Sequence, residues 1–361
     1  MNHGGDWSGF LRERGHMPLD FSANVSPLGM PTSAMKAMES LSAGDLARYP
    51  DPECRALRRA IADRSGLYDS QIFCSNGAAD IIYRLACSLR PRRAVLVAPD
   101  FGEYAEALAN VGTDITYYMP GGAQSALDDT GRDMDFAVDP GILSYIDTDT
   151  DIVIFSSPNN PSGCVTDTGL QRSILGKCIE CGALLVIDEC FLDFLPDAHE
   201  RTMLNFLGES RGKLLILRAF TKFYGMAGLR LGWCAADDPV LLEKLRMAGP
   251  PWQVSTIAQA AGIAALTDTA YEEELRAMTA RERSYMQEAL RAKGFPVTSS
   301  KTNYILFYSE DHHLREELLE YGIMIRDCSD YPGLAKGWYR VAVRTREENE
   351  KLFSHLPPTR Q

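Results

Sequence analysis

Short apolar runs alternate with helical patterns between about residue 50 and residue 235. Such runs are typical of strands that are buried on both faces, as in parallel sheets covered by helices. Apolar residues elsewhere recur at helical spacing, as at Ile81, Leu85 and Leu89. The pattern therefore predicts an α/β region built on a mainly parallel sheet. The predicted strands are 94–98, 115–118, 152–155, 184–187 and 214–217.

The pattern changes after residue 240. Asp268 can cap a long helix that ends before Gly294. Short strand patterns then mix with helical ones, which is typical of an α+β segment. We therefore predict a large α/β domain at 45–240 and a smaller α+β domain at 241–361. The predicted strands of the smaller domain are 304–308 and 339–343.

The composition is acidic and otherwise that of an ordinary globular chain. The 361 residues include 37 Lys and Arg against 49 Asp and Glu, a formal net charge of −12. This balance disfavours nucleic-acid binding, which needs a basic face, but small anionic substrates stay open. No apolar run approaches the roughly 20 residues of a membrane span, and the first residues lack an export-signal pattern. The nine scattered cysteines predict reduced thiols and a cytoplasmic protein.

Three residues with useful chemistry each follow one of the predicted strands. They are Asn160, Asp188 and Lys222. Ligands of open α/β sheets bind beyond the carboxyl ends of the strands, so we expect these side chains to meet at one edge of the sheet. A fourth feature is the turn at 77–79, where a glycine and the backbone N–H groups of a helix start make an anion site.

Pyridoxal phosphate is a cofactor that needs all four features. It requires a lysine that bonds its aldehyde, a carboxylate that keeps its pyridine nitrogen protonated, a donor for its phenolate oxygen and a cup for its phosphate. Lys222, Asp188, Asn160 and the 77–79 turn fill these roles in that order. Each feature alone has an ordinary explanation, such as a solvated lysine or a turn. Their combination in the strand context makes the cofactor prediction specific.

The sequence predicts no metal site. Cys178 and Cys181 form a lone CxxC pair within a helical pattern, which favours helix packing over zinc. The alternating aspartates at 147–151 lack the glycine and the distal glutamate of a calcium loop. His312 and His313 have no partner at a metal-ligand spacing.

Four motifs resemble those of one known family. They are PNNPSG at 158–163, DE at 188–189, TK at 221–222 and AGLRLG at 227–232. Through these motifs, and along nearly the whole chain, the sequence resembles the aminotransferase class I/II enzymes, the fold type I users of pyridoxal phosphate. Within them it is most similar to the histidinol-phosphate aminotransferase-like subfamily. The resemblance implies the PLP-dependent transferase fold, with a large domain on a mainly parallel sheet and a smaller α+β domain.

The resemblance implies further cofactor-binding residues. Arg230 would be the fixed cation for the cofactor phosphate, helped by Thr221 and the backbone of 77–79. Tyr104 would stack on the pyridine ring. Tyr49 would reach the cofactor phosphate of a neighbouring subunit, which implies a homodimer, and a plain core position is the alternative for either tyrosine. The implied cofactor-binding set is Gly77, Ala78, Ala79, Tyr104, Asn160, Asp188, Thr221, Lys222, Arg230 and Tyr49.

Two departures from the general family pattern, together with four sequence segments, narrow the resemblance to one group of enzymes within the family. Phe191 stands where the general pattern has a tyrosine that bonds the phenolate oxygen, which leaves Asn160 as the remaining donor. Ala219 stands where relatives often have a hydroxyl group in the phosphate cup. The four segments are HGG at 3–5, DFSANVSPLG at 20–29, RDCSDYPGL at 326–334 and YRVAVR at 339–344. Together with Phe191, they resemble the threonine-phosphate decarboxylases of cobalamin biosynthesis.

The same resemblance implies a substrate site. Arg340 would bind an α-carboxylate and Arg326 a phosphate, for which the planar fork of arginine is suited. Arg344 lies four residues from Arg340 in a strand pattern, so the two should face the same way, and an ion pair is equally open for Arg344. An N-terminal arm at 1–44 would join the small domain to this pocket. The implied substrate-binding set is His3, Asn24, Asn160, Arg326, Arg340 and Arg344.

The resemblance implies decarboxylation of L-threonine O-3-phosphate to (R)-1-aminopropan-2-ol O-2-phosphate, the linker of the cobalamin nucleotide loop. O-Phospho-L-serine, which lacks one methyl group, is a further expected substrate. A histidinol-phosphate-type aminotransferase that uses 2-oxoglutarate and glutamate is the alternative. The two differ in which Cα bond stands perpendicular to the cofactor ring, which no motif encodes. A protein of this fold that binds the cofactor without turnover, as a regulator, is a third hypothesis.

Overall fold

The structure is a computed structural model that describes residues 4–121 and 135–357. Its strands are β1 (Leu19–Asp20), β2 (Ile72–Ser75), β3 (Arg93–Val97), β4 (Asp114–Tyr118), β5 (Ile152–Ser156), β6 (Leu184–Asp188), β7 (Leu214–Ala219), β8 (Gly232–Ala236), β9 (Tyr304–Tyr308), β10 (Ile323–Met324), β11 (Arg326–Asp327) and β12 (Trp338–Ala342). Its α-helices are α1 (Trp7–Arg14), α2 (Thr32–Glu39), α3 (Ala43–Leu46), α4 (Arg55–Ser65), α5 (Ala78–Leu89), α6 (Glu103–Ala109), α7 (Thr168–Cys181), α8 (Ala198–Arg201), α9 (Pro239–Met247), α10 (Thr256–Ala265), α11 (Thr269–Ala292), α12 (Leu314–Glu320) and α13 (Arg346–His355).

Seven strands of the described chain form one sheet in the order β2-β8-β7-β6-β5-β3-β4. Strands β3 to β7 run parallel, and β8 runs antiparallel to both of its neighbours. The prediction of a mainly parallel sheet is confirmed, and its five predicted strands are β3 to β7. The hydrophobic pattern does not predict β2 and β8. Both lack a run of branched residues, since β2 reads IFCS and β8 reads GWCAA.

Alternating residues of the central strands supply two separate cores. Phe155, Ile187 and Ile216 point into one core, which also includes residues of α4, α7 and α10. Their chain neighbours Ile154 and Val186 belong to the other core, which includes residues of α5, α6 and α9. Burial on both faces explains why these strands read as continuous apolar runs.

A second sheet, in the order β11-β12-β9, is antiparallel and packs with the long helix α11. Asp268 caps α11 as predicted, accepting a hydrogen bond from the backbone N–H of Tyr271. The N-terminal segment joins this part of the chain because β1 pairs in parallel with β10. The division at residues 44 and 240 stays a prediction. In the ranges 4–121 and 135–357, no helix is both long and apolar enough to cross a membrane.

Candidate active site

The carboxyl ends of β5, β6 and β7 bring the predicted groups to one edge of the sheet. Asp188 ends β6 and is paired in register with Ser156, the last residue of β5. Asn160 follows β5, and its backbone N–H donates to Oγ of Ser156 at 3.1 Å. Lys222 follows β7, and it lies close enough to Asp188 for the charge of that carboxylate to raise its pKa. The structure thus places the predicted amide, carboxylate and amine together.

The surroundings of Lys222 favour its neutral form. Burial is the main cause that lowers the pKa of Lys222 to about 8, and the charges of Arg340 and Arg230 act in the same direction. Cys190 and Asp188 oppose this shift in pKa. A lysine with a lowered pKa has a larger unprotonated share near neutral pH and is therefore an activated nucleophile.

We expect the rate of covalent cofactor binding by the apo-protein to rise with pH and to level off above about 8. Only the neutral amine attacks an aldehyde, so the rate should follow deprotonation of Lys222. Stopped-flow absorbance of the lysine-linked cofactor measures it, and the Lys222→Arg variant is the control without a signal. A wild-type rate that still rises toward the ordinary lysine pKa of 10.5 would contradict the lowered pKa.

The start of α5 forms a cradle for an anion. Gly77 precedes the helix with φ of +86°, and no side chain of the described residues caps the helix there. The backbone N–H groups of its first turn are therefore available to a ligand. A Cβ atom at Gly77 would lie 3.0 Å from Nη2 of Arg230, so a guanidinium group sits at the same helix end. Thr221, which is buried, directly precedes Lys222.

Asp188 is held by two donors. It is 7% exposed. The hydroxyl of Tyr104 donates to Oδ2 at 2.7 Å, and the backbone N–H of Cys190 donates to Oδ1 at 2.8 Å. Tyr104 is itself fully buried. The two contacts fix the orientation of the carboxylate, and the stacking of Tyr104 on a pyridine ring stays a prediction.

The other two aromatic positions have different surroundings. Phe191 packs edge-to-face on Tyr304, with ring centres 4.9 Å apart. Nζ of Lys222 lies 6.0 Å from the centre of the Phe191 ring. Tyr49 is 79% exposed and stacks on Trp252 with ring centres 4.5 Å apart. Tyr49 is therefore not a core aromatic of this protomer.

Arg326 and Arg340 form a buried pair of cations on β11 and β12. They are paired in register, and each is about one-twentieth exposed. Like charges directly opposite each other repel, so an anion between them would be stabilising. Arg340 donates to Oδ1 of Asn160 and, at 3.0 Å, to the carbonyl of Ser22, which are both neutral. Within the described residues Arg340 has no ion pair, whereas Arg326 pairs with Asp330 at 2.8 Å.

Arg344 does not share a strand with Arg340. The predicted strand covered 339–343, but β12 ends at Ala342, so strand periodicity does not fix the direction of Arg344, and a common face for the two arginines stays a prediction. Nη2 of Arg344 pairs with Glu348 at 2.7 Å, and Nη1 donates to the carbonyl of Asp20 at 3.1 Å. The structure thus has the ion pair that the sequence left open, and a substrate contact by Arg344 stays a prediction.

Asn24 carries a buried acceptor with no partner in the described parts of the chain. It is 3% exposed, and its Oδ1 atom makes no hydrogen bond there. Two residues later, the backbone N–H of Ser26 donates to the carbonyl of Lys222 at 2.9 Å. The N-terminal segment is thereby held beside Lys222, where a ligand donor would satisfy Asn24. His3 lies outside the described residues, and its role stays a prediction.

Asp100 is a buried carboxylate at this edge that the sequence analysis did not single out. Two backbone N–H groups, one of them from Ser156, donate to it at 2.7 Å, and Oγ of Ser156 donates as well. Burial raises the pKa of Asp100 to about 7, and the charge of Asp188 adds to the rise. Asp100 follows β3, so the rule that found Asp188 at a strand end could have found it too.

We expect the Asp100→Asn variant to gain stability relative to the wild-type apo-protein as pH rises from about 5 to about 7. The folded state raises the pKa of Asp100 from 3.8 to about 7, so it binds this proton more tightly than the unfolded chain does. The free energy of unfolding of the wild type therefore falls by up to about 1.4 kcal/mol per pH unit in this window, and that of the variant lacks this fall. Urea unfolding at several pH values measures the difference. Parallel pH profiles of the two proteins would show that Asp100 stays ionised.

The residues at this edge of the sheet define a class of site. A lysine and a buried carboxylate stand at one sheet edge, and a helix start with Arg230 forms an anion cradle nearby. These residues fit the aldehyde, ring nitrogen and phosphate of pyridoxal phosphate. The family model described as "Aminotransferase class I and II" matches residues 17–356. The chain belongs to this family, whose enzymes use pyridoxal phosphate.

Relatives within the family have two kinds of names. A "Threonine-phosphate decarboxylase" of Salmonella typhimurium is 34% identical over 94% of this chain and 90% of the relative. An "Adenosylcobalamin biosynthesis bifunctional protein" of Leptospira interrogans is 28% identical over 97% of this chain and 40% of its own length. The crystal structure of a histidinol-phosphate aminotransferase from Clostridium acetobutylicum has a TM-score of 0.84 at 29% identity, covering 93% of this chain and 97% of that one.

Proposed function

We propose that the protein catalyses the decarboxylation of L-threonine O-3-phosphate to (R)-1-aminopropan-2-ol O-2-phosphate in cobalamin biosynthesis, and that it also accepts O-phospho-L-serine. The buried pair of Arg326 and Arg340 carries the proposal. A small amino acid with a carboxylate and a phosphate supplies one anion to each guanidinium group. The similarity to the Salmonella threonine-phosphate decarboxylase supports the same substrate.

Each residue of the site has a task in this reaction. The chemistry that bound pyridoxal phosphate would supply is an electron sink for the substrate Cα. Asp188 keeps the ring nitrogen protonated, and Tyr104 orients its carboxylate. Arg340 and Asn160 would hold the substrate carboxylate in an orientation that favours breaking the C–C bond over the C–H bond. After CO₂ leaves, Nζ of Lys222 delivers the proton that replaces it on Cα.

We also propose that the protein is a homodimer in the cytoplasm. The exposed stack of Tyr49 and Trp252 supports the dimer, because large exposed aromatic residues are typical of interfaces. Met247, which is 75% exposed, adds apolar surface nearby in the chain. No disulfide joins two cysteines in the described ranges 4–121 and 135–357, which fits a reducing compartment.

A histidinol-phosphate-type aminotransferase is the second candidate function. The similarity to the Clostridium acetobutylicum enzyme favours it, since that structure covers nearly the whole chain. The fold, the lysine and the ring carboxylate serve either reaction. The two functions differ in their products and in the need for an oxo acid.

Product analysis with O-phospho-L-threonine tests the proposal. We expect one CO₂ per amino phosphate formed, without any 2-oxoglutarate, and the same outcome at a lower rate with O-phospho-L-serine. Histidinol phosphate with 2-oxoglutarate is the matched control and should give little glutamate. Glutamate formation without CO₂ would favour the aminotransferase. Cofactor absorbance without turnover of either substrate would favour the third hypothesis, a protein that binds the cofactor without catalysis.

A further inference from the structure

Asp330 holds the guanidinium group of Arg326 from one side. A single nitrogen of Arg326, Nη2, donates to both carboxylate oxygens of Asp330, at 2.8 and 2.9 Å. Arg326 is 6% exposed, and the ring of Tyr331 lies 5.4 Å from its guanidinium carbon. The buried guanidinium group that would bind a substrate anion is therefore already paired with one negative charge, that of Asp330.

The cavity beside this pair is more acidic than basic. It has a volume of about 420 Å³ and lies between the N-terminal segment, α12 and the segment 326–330. Carboxylates outnumber guanidinium groups four to two among its lining side chains, and Arg340 faces Arg326 from β12. The charged lining residues are Asp6, Glu13, Asp327, Asp330, Arg315 and Arg326.

We propose that Asp330 determines which charge state of a phosphate ester the Arg326 subsite accepts, favouring the monoanion over the dianion. This inference rests on the proposed function, which places the substrate phosphate at Arg326. A phosphate ester passes from monoanion to dianion with a second pKa near 6. The fixed carboxylate on the same guanidinium group repels the second negative charge at short range, where burial weakens screening.

Two unreactive probes test this inference on the holoenzyme. 3-Phosphooxybutanoate keeps the carboxylate and phosphate of the substrate but lacks the amine, so it is not turned over. 3-Sulfooxybutanoate has the same shape, and its sulfate carries one negative charge at either pH. Calorimetry at pH values of about 5.5 and about 8 measures both affinities in the wild type and in Asp330→Asn.

We expect Asp330→Asn to bind the phosphate probe about tenfold more tightly than the wild type at the higher pH, and about twofold or less at the lower pH. The sulfate probe should show the same small gain at both pH values. An equal loss of affinity for both probes at both pH values would overturn the inference, because Asp330 would then only position Arg326.

Two further variants separate the remaining outcomes. Asp327→Asn removes a carboxylate from the same cavity, but this carboxylate accepts from the backbone N–H of Ser329 at 2.8 Å and does not pair with Arg326. A pH-dependent gain equal to that of Asp330→Asn would overturn the specific role of Asp330. Arg326→Gln should weaken both probes. If it weakens neither, the placement of the phosphate in the proposed function fails instead.

Discussion

The Lys222→Ala variant is expected to lose turnover of O-phospho-L-threonine by at least about 10³-fold. In the proposed reaction the amine has two tasks, holding the cofactor aldehyde and delivering a proton to Cα. The variant should also lose the absorbance of the lysine-linked cofactor. Assays of CO₂ release and visible spectra of the purified protein measure both effects.

Lys351→Ala is the matched control for this loss. Its ammonium group pairs with Glu347 on the exposed face of α13, so the variant should keep wild-type activity and spectrum. Lys222→Ala should fold as stably as the wild type, because it removes a buried amine that is repelled by Arg340 and Arg230. Full turnover by Lys222→Ala would remove the basis for the whole assignment.

The edge of the sheet that carries Asp188 and Lys222 is predictable from the sequence, because parallel strands bring their carboxyl ends together. Strands β5 to β7 are buried on both faces, so they read as apolar runs whose ends are visible. In a parallel sheet those ends lie side by side. The sequence alone therefore predicts that Asp188 and Lys222 lie at the same edge. The same apolar runs predict the mainly parallel sheet. They do not predict β8, because its small residues give no strand pattern.

The substrate side is less predictable because it depends on contacts between distant segments. The pairing of Arg326 with Arg340 belongs to two short strands that a loop separates in the sequence, and no local pattern reveals that register. The guanidinium group of Arg326 pairs with Asp330 and would also bind the proposed phosphate. A motif alone does not show that one arginine has both partners. The strand pattern at 339–343 extends one residue beyond the end of β12, so it does not fix the direction of Arg344.

Arg340→Gln is expected to lower kcat/KM for O-phospho-L-threonine by between about 10² and 10⁴, while leaving the folded state at least as stable. The activity falls because a charge-assisted, two-point contact to the substrate carboxylate is lost, and with it the orientation of the C–C bond. Stability does not fall, since a buried cation without an ion pair in the described residues is unfavourable before substrate binds. Steady-state kinetics and urea unfolding of the apo-protein measure the two effects.

Comparison variants make this expectation decisive. Arg281→Gln removes a largely exposed guanidinium group that pairs with Glu282, so it should alter kcat/KM by less than about twofold. Arg344→Gln resolves the question left by its pair with Glu348. A loss similar to that of Arg340→Gln would assign Arg344 to the substrate, and a small change would assign it to the ion pair. A strong loss of stability without a change in KM would contradict the role of Arg340, because its cation would then support the fold rather than hold the carboxylate.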